Sequence, residues 1–418
     1  MGHLAGKDLY RTLGKKIDSL TTRVPWNNTL YEIFKELYSP EEAELIIRMP
    51  YGLANLQHIA RSTKYEPGKL QKLLEGLCAK GLVMDIWING EYHYMISPMV
   101  IGIFEFTMMR TGDDRKSKEW ARLFHAYMQE DDLFAANFKR HERVSPLRAL
   151  PHEGAIVDED HVEVLDYEKA TAFVDRAKKF AVGICSCRHE KLHVGEKRCA
   201  VPLETCSTFD RAIDYLVRHN FAKEVSRTEM LENLARSKEL GLVFCADNVR
   251  QGVSFICHCC GCCCNVLLGI SRFGYPNALV TSNFIARIDE NECVSCDTCA
   301  EACPIKAIDV NNSNHPRIDE TICLGCGVCA LRCTTGSLKL VPRKQRVLHP
   351  ETTFERVILQ ALERGTLQNL LFAEPQQITH KFMRGFVGGF LRLTPVKKAL
   401  MSDALRSSFL EKLKSRGR

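Results

Sequence analysis

Apolar residues recur at helical spacing along the first forty positions, which predicts an amphipathic helical arm over residues 1–38. Ser39-Pro40-Glu41-Glu42 then reads as an N-cap, a proline in the first turn and two acids, so a helix starts there. A second helix fits Leu53–Ser62, with Leu53, Leu56, Ile59 and Ala60 on one face. A third runs from Pro67 to Lys80, with Leu70, Leu73, Leu74 and Leu77 spaced for one side. The period changes at Gly81. Leu82–Trp87 and Tyr92–Ile96 flank Asn89-Gly90, a strong two-residue hairpin signal. Residues 100–150 read as a mostly helical linker, with an amphipathic stretch at Glu119–Met128 and a break between Pro146 and Pro151. Glu168–Phe180 predicts a helix and Ala181-Val182-Gly183-Ile184 a strand. Phe255-Ile256 ends a further strand. Thr228–Gly241 predicts a helix with Met230, Leu231, Leu234 and Leu240 inward.

These patterns divide the 418 residues into six stretches, 1–38, 39–110, 111–160, 161–279, 280–342 and 343–418, and place the chain in the α+β class. The length allows two or three domains with cores of their own. Residues 1–8 lack the apolar run of a secretory signal, and no stretch approaches the roughly 18 to 20 apolar residues of a membrane span. A net charge of +6 permits a polyanionic partner without demanding one. No G-x-G-x-x-G follows a strand and no G-x-x-x-x-G-K-[ST] occurs, so neither a dinucleotide fold nor a P-loop is signalled.

Cysteine changes the picture most. Twenty are present, and eight of them fall as Cys293-x-x-Cys296-x-x-Cys299-x-x-x-Cys303-Pro304 and Cys323-x-x-Cys326-x-x-Cys329-x-x-x-Cys333. Three thiolates on one tight loop can cap three irons of a cube. The fourth cysteine, set back by three, starts a helix and points away. Cys293, Cys296, Cys299 and Cys333 are therefore expected to hold one [4Fe–4S] cluster, and Cys323, Cys326, Cys329 and Cys303 a second. Arg287-Ile288-Asp289 and Arg317-Ile318-Asp319 mark an internal repeat 30 residues apart. The segment resembles bacterial dicluster ferredoxins, which implies two βαβ halves that exchange one cysteine over residues 280–342. Thr334 stands where that family usually has proline after the last cysteine.

Ten further cysteines sit in two groups, each after an apolar strand. Cys185, Cys187, Cys199 and Cys206 form the first, and Cys257, Cys259, Cys260, Cys262, Cys263 and Cys264 the second. Loops at strand ends can converge, and thiols at this density are an oxidation liability without a ligand role. One or two further iron–sulfur clusters are expected there. His189 and His258 are candidate ligands or hydrogen-bond donors to sulfur, and Arg188 a candidate to offset cluster charge. Cys78 and Cys245 fit neither group and read as buried apolar residues. Cys259-Cys260-Gly261 resembles the Cys-Cys-Gly motif of heterodisulfide reductase, without that family's later C-x-x-C, so only the idea of a cysteine-rich cluster site carries over.

Residues 40–98 resemble the winged helix of MarR-like regulators, which implies a DNA-binding or a protein-docking module. The layout of residues 40–342 is similar to a group of bacterial iron–sulfur proteins with a winged-helix-like front, a CxCR…CCGCCC α/β middle and a dicluster ferredoxin end. That resemblance implies electron transfer beside larger redox enzymes. Thiolates destined for iron need reducing surroundings, so the cytoplasm is expected. Without a flavin or nicotinamide site, electrons are expected to come from and go to other redox proteins, which favours a carrier subunit over a self-contained enzyme. A redox-sensing DNA-binding regulator and a reductase acting at the middle cysteines are the rival expectations. Beyond Pro342 the chain turns helical and basic, with apolar faces over Phe354–Leu362 and His380–Leu393, which suits contact with a membrane surface.

Overall fold

The computed structural model describes the chain except residues 1, 112–113, 139–143, 158–166, 311–314, 348 and 417–418. The boundary expected between residues 160 and 161 lies outside the described residues. The chain mixes helix and sheet throughout, the α+β class, and divides into two compact units.

One unit comprises residues 1–107, 123–137 and 354–418. The expected arm is two helices, Gly2–Asp18 and Asn28–Leu37, the second capped by the Asn27 side chain on the Leu30 amide. The Pro40–Arg48 helix opens with a complete capping box between Ser39 and Glu42, which satisfies two end donors reciprocally. Helices Leu56–Thr63 and Pro67–Ala79 follow. Strands β1 (Ala54–Asn55), β2 (Val83–Ile88) and β3 (Glu91–Ile96) form a small antiparallel sheet in the order β1-β3-β2. The β2–β3 ladder turns at Asn89-Gly90, with Ile88 opposite Glu91. The C-terminal stretch adds helices Thr353–Arg364, Leu367–Leu371, Ile378–Leu391, Thr394–Met401 and Asp403–Arg416. Ile358, Ala361, Leu362, Leu367, Leu391 and Leu410 make their shared core.

The other unit comprises residues 108–122 and 138–353 and carries every cysteine but Cys78. Its main sheet runs β4-β8-β9-β6-β5-β7. The strands are β4 (Leu147–Leu150), β5 (Phe180–Ile184), β6 (Glu204–Phe209), β7 (Ala222–Val225), β8 (Val243–Asp247) and β9 (Phe255–Cys259). All its ladders are antiparallel, so helices and strands alternate here without parallel crossovers. β4 lies inside the stretch read as a helical linker. Its Arg148 is wholly buried and holds the Asp247 and Val249 carbonyls with its guanidinium, which lets a charged residue be buried on this edge strand. The Glu168–Phe180 helix is shorter than predicted, Ala170–Arg176, and Leu240, expected inward, is exposed past the end of the Arg227–Glu239 helix.

Period-two alternation divides the sheet's faces. Phe209, Phe244, Ala246 and Ile256 enter one core with Phe173, Phe180, Met230 and Leu234. The residues alternating with them, Cys206, Cys245, Cys257 and Cys259, share the opposite face: Cys245 stands opposite Cys257 and Val243 opposite Cys259.

The last part of this unit is built from β10 (Phe284–Ile288), helix Thr298–Ala302, β11 (Ile308–Asp309), β12 (Arg317–Ile318), helix Val328–Leu331 and β13 (Leu338–Pro342). β10 pairs with β13 and β11 with β12, the nesting expected of two βαβ halves.

Candidate iron–sulfur and thiolate sites

Each repeat half folds its cysteine run into a loop that wraps a cavity, and the last cysteine of each run crosses to the other half. Cys323, Cys326 and Cys329 line a hollow together with Cys303. Cys293, Cys296 and Cys299 line a second together with Cys333. The rest of the first lining is mainly apolar, including Ala286, Ile305, Ile308, Ile318 and Leu340. Four thiols converging on an apolar hollow are a donor set suited to a [4Fe–4S] cube.

The two loops repeat one backbone conformation. Ser295 and Asp297 have positive φ of 52° and 61°, and Gly325 and Gly327, 30 residues on, have 65° and 82°. The difference in residue type follows from surroundings. Residues 294–297 are exposed, so side chains in the left-handed region have room. Residues 323–329 are all buried. A methyl on Gly325 would overlap the Phe284 carbonyl, and one on Gly327 would lie 2.7 Å from Ala155 Cβ. Arg343 ties this inner loop by donating to the carbonyls of Cys323 (2.5 Å) and Ser282 (3.1 Å). The His152 amide donates to the Cys326 carbonyl at 2.9 Å.

Burial and hydrogen bonding set individual thiols apart. Burial pushes the Cys326 thiol up to about 12. Cys333 goes the other way: against a modest burial cost, hydrogen bonding by Ser337 and Thr335 holds it at about 7. Ser337 Oγ lies 3.4 Å and Thr335 Oγ1 3.6 Å from its sulfur. These hydroxyls occupy the turn after Cys333, where Thr334 replaces the usual proline.

Residues 286–347 match the family model of the 4Fe-4S dicluster domain. The domain is present as the spacing predicted. No curated protein and no solved structure matches the chain.

The ten middle cysteines do not form one group. Cys199, Cys260, Cys262 and Cys263 bring their four Sγ atoms within 4.8 Å of one another. The other six collect on the thiol face of the sheet and are joined by Cys245. There Cys187 interacts with Cys264, Cys206 with Cys257, and Cys259 with Cys245, Cys257 and Cys264, while Cys185 faces Cys187 and Cys206. Burial pushes Cys185 up to about 12. A cation among such thiols reverses that cost, because thiolates are the form it binds.

Arg188 links the two sets. It is wholly buried and donates to the Pro202 carbonyl (2.8 Å), Thr205 Oγ1 (2.7 Å) and the His258 carbonyl. Burial works against its charge, but Cys185 and Cys260 raise its affinity for the proton above the usual arginine range. The interaction is mutual. A hydrogen bond from Cys263, with Arg188 alongside, holds Cys260 below the usual thiol range despite burial.

The histidines face elsewhere. His189 Nδ1 lies 2.6 Å from the Met108 carbonyl and its Nε2 2.8 Å from His193 Nε2. His258, on the opposite face of β9 from Cys257 and Cys259, bonds Ser207 Oγ at 2.8 Å and packs on Phe244. Neither imidazole stands among the thiols.

Sequence reading overlooked a buried ion pair beside them. Lys191 Nζ lies 2.5 Å from Glu190 Oε1, with side chains 1% and 0% exposed, and Asn265 bonds both partners at 3.1 and 2.7 Å. This network clamps the Ser186–His193 helix to the Asn265–Ser271 helix, the two that follow the cysteine runs. Its sequence signal is weak, since Glu-Lys in a polar helix usually faces water.

Proposed function

We propose that the chain is a multicluster iron–sulfur electron-transfer protein that passes single electrons between a redox donor and a partner oxidoreductase. Two [4Fe–4S] clusters would be held by Cys293, Cys296, Cys299 and Cys333, and by Cys323, Cys326, Cys329 and Cys303. A further cluster would be held among Cys185, Cys187, Cys206, Cys257, Cys259 and Cys264, with Cys245 beside it. Bound clusters supply one-electron chemistry at the low potentials open to ferredoxin-type centres. The chain's part is to bury, space and charge-balance them.

The observation that carries this reading is the graded exposure of contiguous thiol sites. Cys296 is exposed, whereas Cys323, Cys326 and Cys329 are buried. The outer loop offers contact to a soluble partner. The inner site abuts the middle cysteines, because Gly261 packs directly on Pro304, next to Cys303. Anaerobic iron and sulfide quantification with EPR on the reduced chain tests the reading. At least twelve irons with matching sulfide, and a signal lost in Cys185→Ser/Cys257→Ser, are expected. Eight irons unchanged by that variant would confine redox chemistry to residues 293–333.

For the front helices and hairpin, protein docking suits a winged helix here better than DNA binding. Lys69 pairs with Glu41, and Lys80 with both carboxylate oxygens of Glu42 at 2.7 Å, so these cations are already matched by carboxylates. The hairpin presents Trp87, 57% exposed, edge-on to Tyr92 at 4.7 Å, the kind of aromatic that anchors protein interfaces.

The Ile378–Leu391 helix supports contact with an anionic membrane surface. Ile378, Phe382, Phe386 and Phe390 recur every four residues and are 84%, 71%, 68% and 55% exposed. No acidic residue occurs from Pro375 to Ser402, and Lys381, Arg392 and Lys398 are exposed. An apolar ridge with cationic flanks matches the depth profile of a headgroup layer.

A further inference from the structure

We propose that Cys199, Cys260, Cys262 and Cys263 hold a single divalent metal ion in a closed tetrahedral thiolate site, with zinc as its occupant and no inorganic sulfide. This separates them from the cluster ligands with which the sequence groups them, and it does not rest on the electron-transfer reading.

The argument is geometric. The sulfurs stand 3.7 Å (Cys199–Cys260), 4.0 Å (Cys199–Cys263), 3.8 Å (Cys260–Cys262) and 3.5 Å (Cys262–Cys263) apart. A zinc–sulfur bond of about 2.3 Å in a regular tetrahedron places its sulfurs about 3.8 Å apart, the middle of this range. Thiolates capping a cube bond four separate irons and radiate from its corners, so they stand much further apart. Among the described residues, the ferredoxin-type cysteines follow that wider pattern: no three of them bring their sulfurs within 4.8 Å of one another. A disulfide is excluded by the same distances, since its sulfurs would be about 2.05 Å apart.

The chain is built to hold the set closed. Cys260-Gly261-Cys262-Cys263 is a tight turn between β9 and the Asn265–Ser271 helix, and its first and last neighbours, Cys259 and Cys264, belong to the other thiol set. Cys199 comes from the loop before β6, and Val201 and Leu242 pack over the group. Four thiolates with one divalent ion carry excess negative charge. The charge of the buried Arg188 acts on Cys260 to offset it, and Lys197 Nζ donates to the Cys199 carbonyl. Four cysteine ligands leave no open position, the mark of a structural rather than a catalytic site. Its mechanical role follows: the ion would brace the turn whose Gly261 meets Pro304.

Ferrous iron can take the same tetrahedral thiolate set, and the experiment separates the two. The full chain, purified anaerobically, is assayed for zinc, iron and acid-labile sulfide alongside Cys199→Ser and Cys262→Ser variants. Expected is one zinc per chain, a zinc-edge absorption spectrum fitted by four sulfurs near ~2.3 Å, and loss of that zinc in both variants with sulfide unchanged. One iron lost without sulfide would keep the mononuclear site and change its occupant. Iron and sulfide falling together in the variants would overturn the proposal, as would a zinc edge dominated by nitrogen or oxygen. Should the variants fail to fold, the wild-type zinc content and edge spectrum decide the matter alone.

Discussion

Gly261 sits so close to Pro304 that a methyl group on its Cα would lie 2.5 Å from the proline carbonyl oxygen. Backbone meets backbone there, between the Cys260–Cys263 turn and the residue after Cys303. Gly261→Ala is therefore expected to destabilise the chain by about 1–3 kcal/mol, the usual cost of overpacking. Denaturant unfolding of the anaerobic protein measures it, and an unchanged midpoint would mean that the contact yields freely.

Ser337 and Thr335 hydroxyls reach the Cys333 sulfur. Hydrogen bonds to sulfur favour the more negative, reduced state of a bound cluster. Ser337→Ala should lower the potential of the solvent-facing centre. A loss of about 1 kcal/mol corresponds to roughly 40 mV for one electron. Voltammetry that found a rise instead would refute the assignment of Cys333 to that centre.

Breaking the Glu190–Lys191 pair leaves an uncompensated charge at full burial. Lys191→Met should cost about 3–5 kcal/mol, while Glu190→Gln/Lys191→Met recovers much of it. A double variant no more stable than the single would show that Asn265 already compensates Glu190 alone.

His152 is held down at about 4 and His349 at about 3, both chiefly by burial. Unfolded, each binds a proton near pH 6.5. The unfolded chain thus takes up protons first on acidification, so these groups make stability fall below pH 6.5. The slope they contribute is about 2.7 kcal/mol per pH unit, until His152 charges in the fold near pH 4. His152→Phe should flatten the acid limb of a stability–pH curve by about half that slope.

Phe382→Ser/Phe386→Ser should reduce sedimentation with anionic vesicles at least tenfold, since each buried phenyl contributes about 1.5–3 kcal/mol. Thermal stability should hardly change, because both rings are exposed already. Wild-type protein that ignores anionic vesicles would remove the membrane reading.

The ferredoxin-type segment was legible because C-x-x-C-x-x-C-x-x-x-C fixes both loop and ligand geometry in a dozen residues. The middle site was only half legible. Cysteine count revealed that thiols gather there, but Cys259 and Cys260 are neighbours that join different sets, where β9 gives way to a turn. Cys245 escaped because a lone cysteine in an apolar strand resembles any small hydrophobe. Its signal was the strand itself, in which Phe244 and Ala246 point one way and Cys245 the other. β4 escaped because four residues carry too little periodicity to outweigh helical surroundings. The front helices were legible from caps, as at Ser39, whose reciprocal bonds are local.

The paired loops at Ser295/Asp297 and Gly325/Gly327 share a backbone but not a degree of freedom. Nearly any small or polar residue can be tried in the first, while the second admits no side chain at all. One copy of the duplicated loop thus has room for its surface residues to change, while the other is fixed by the backbone packed against it.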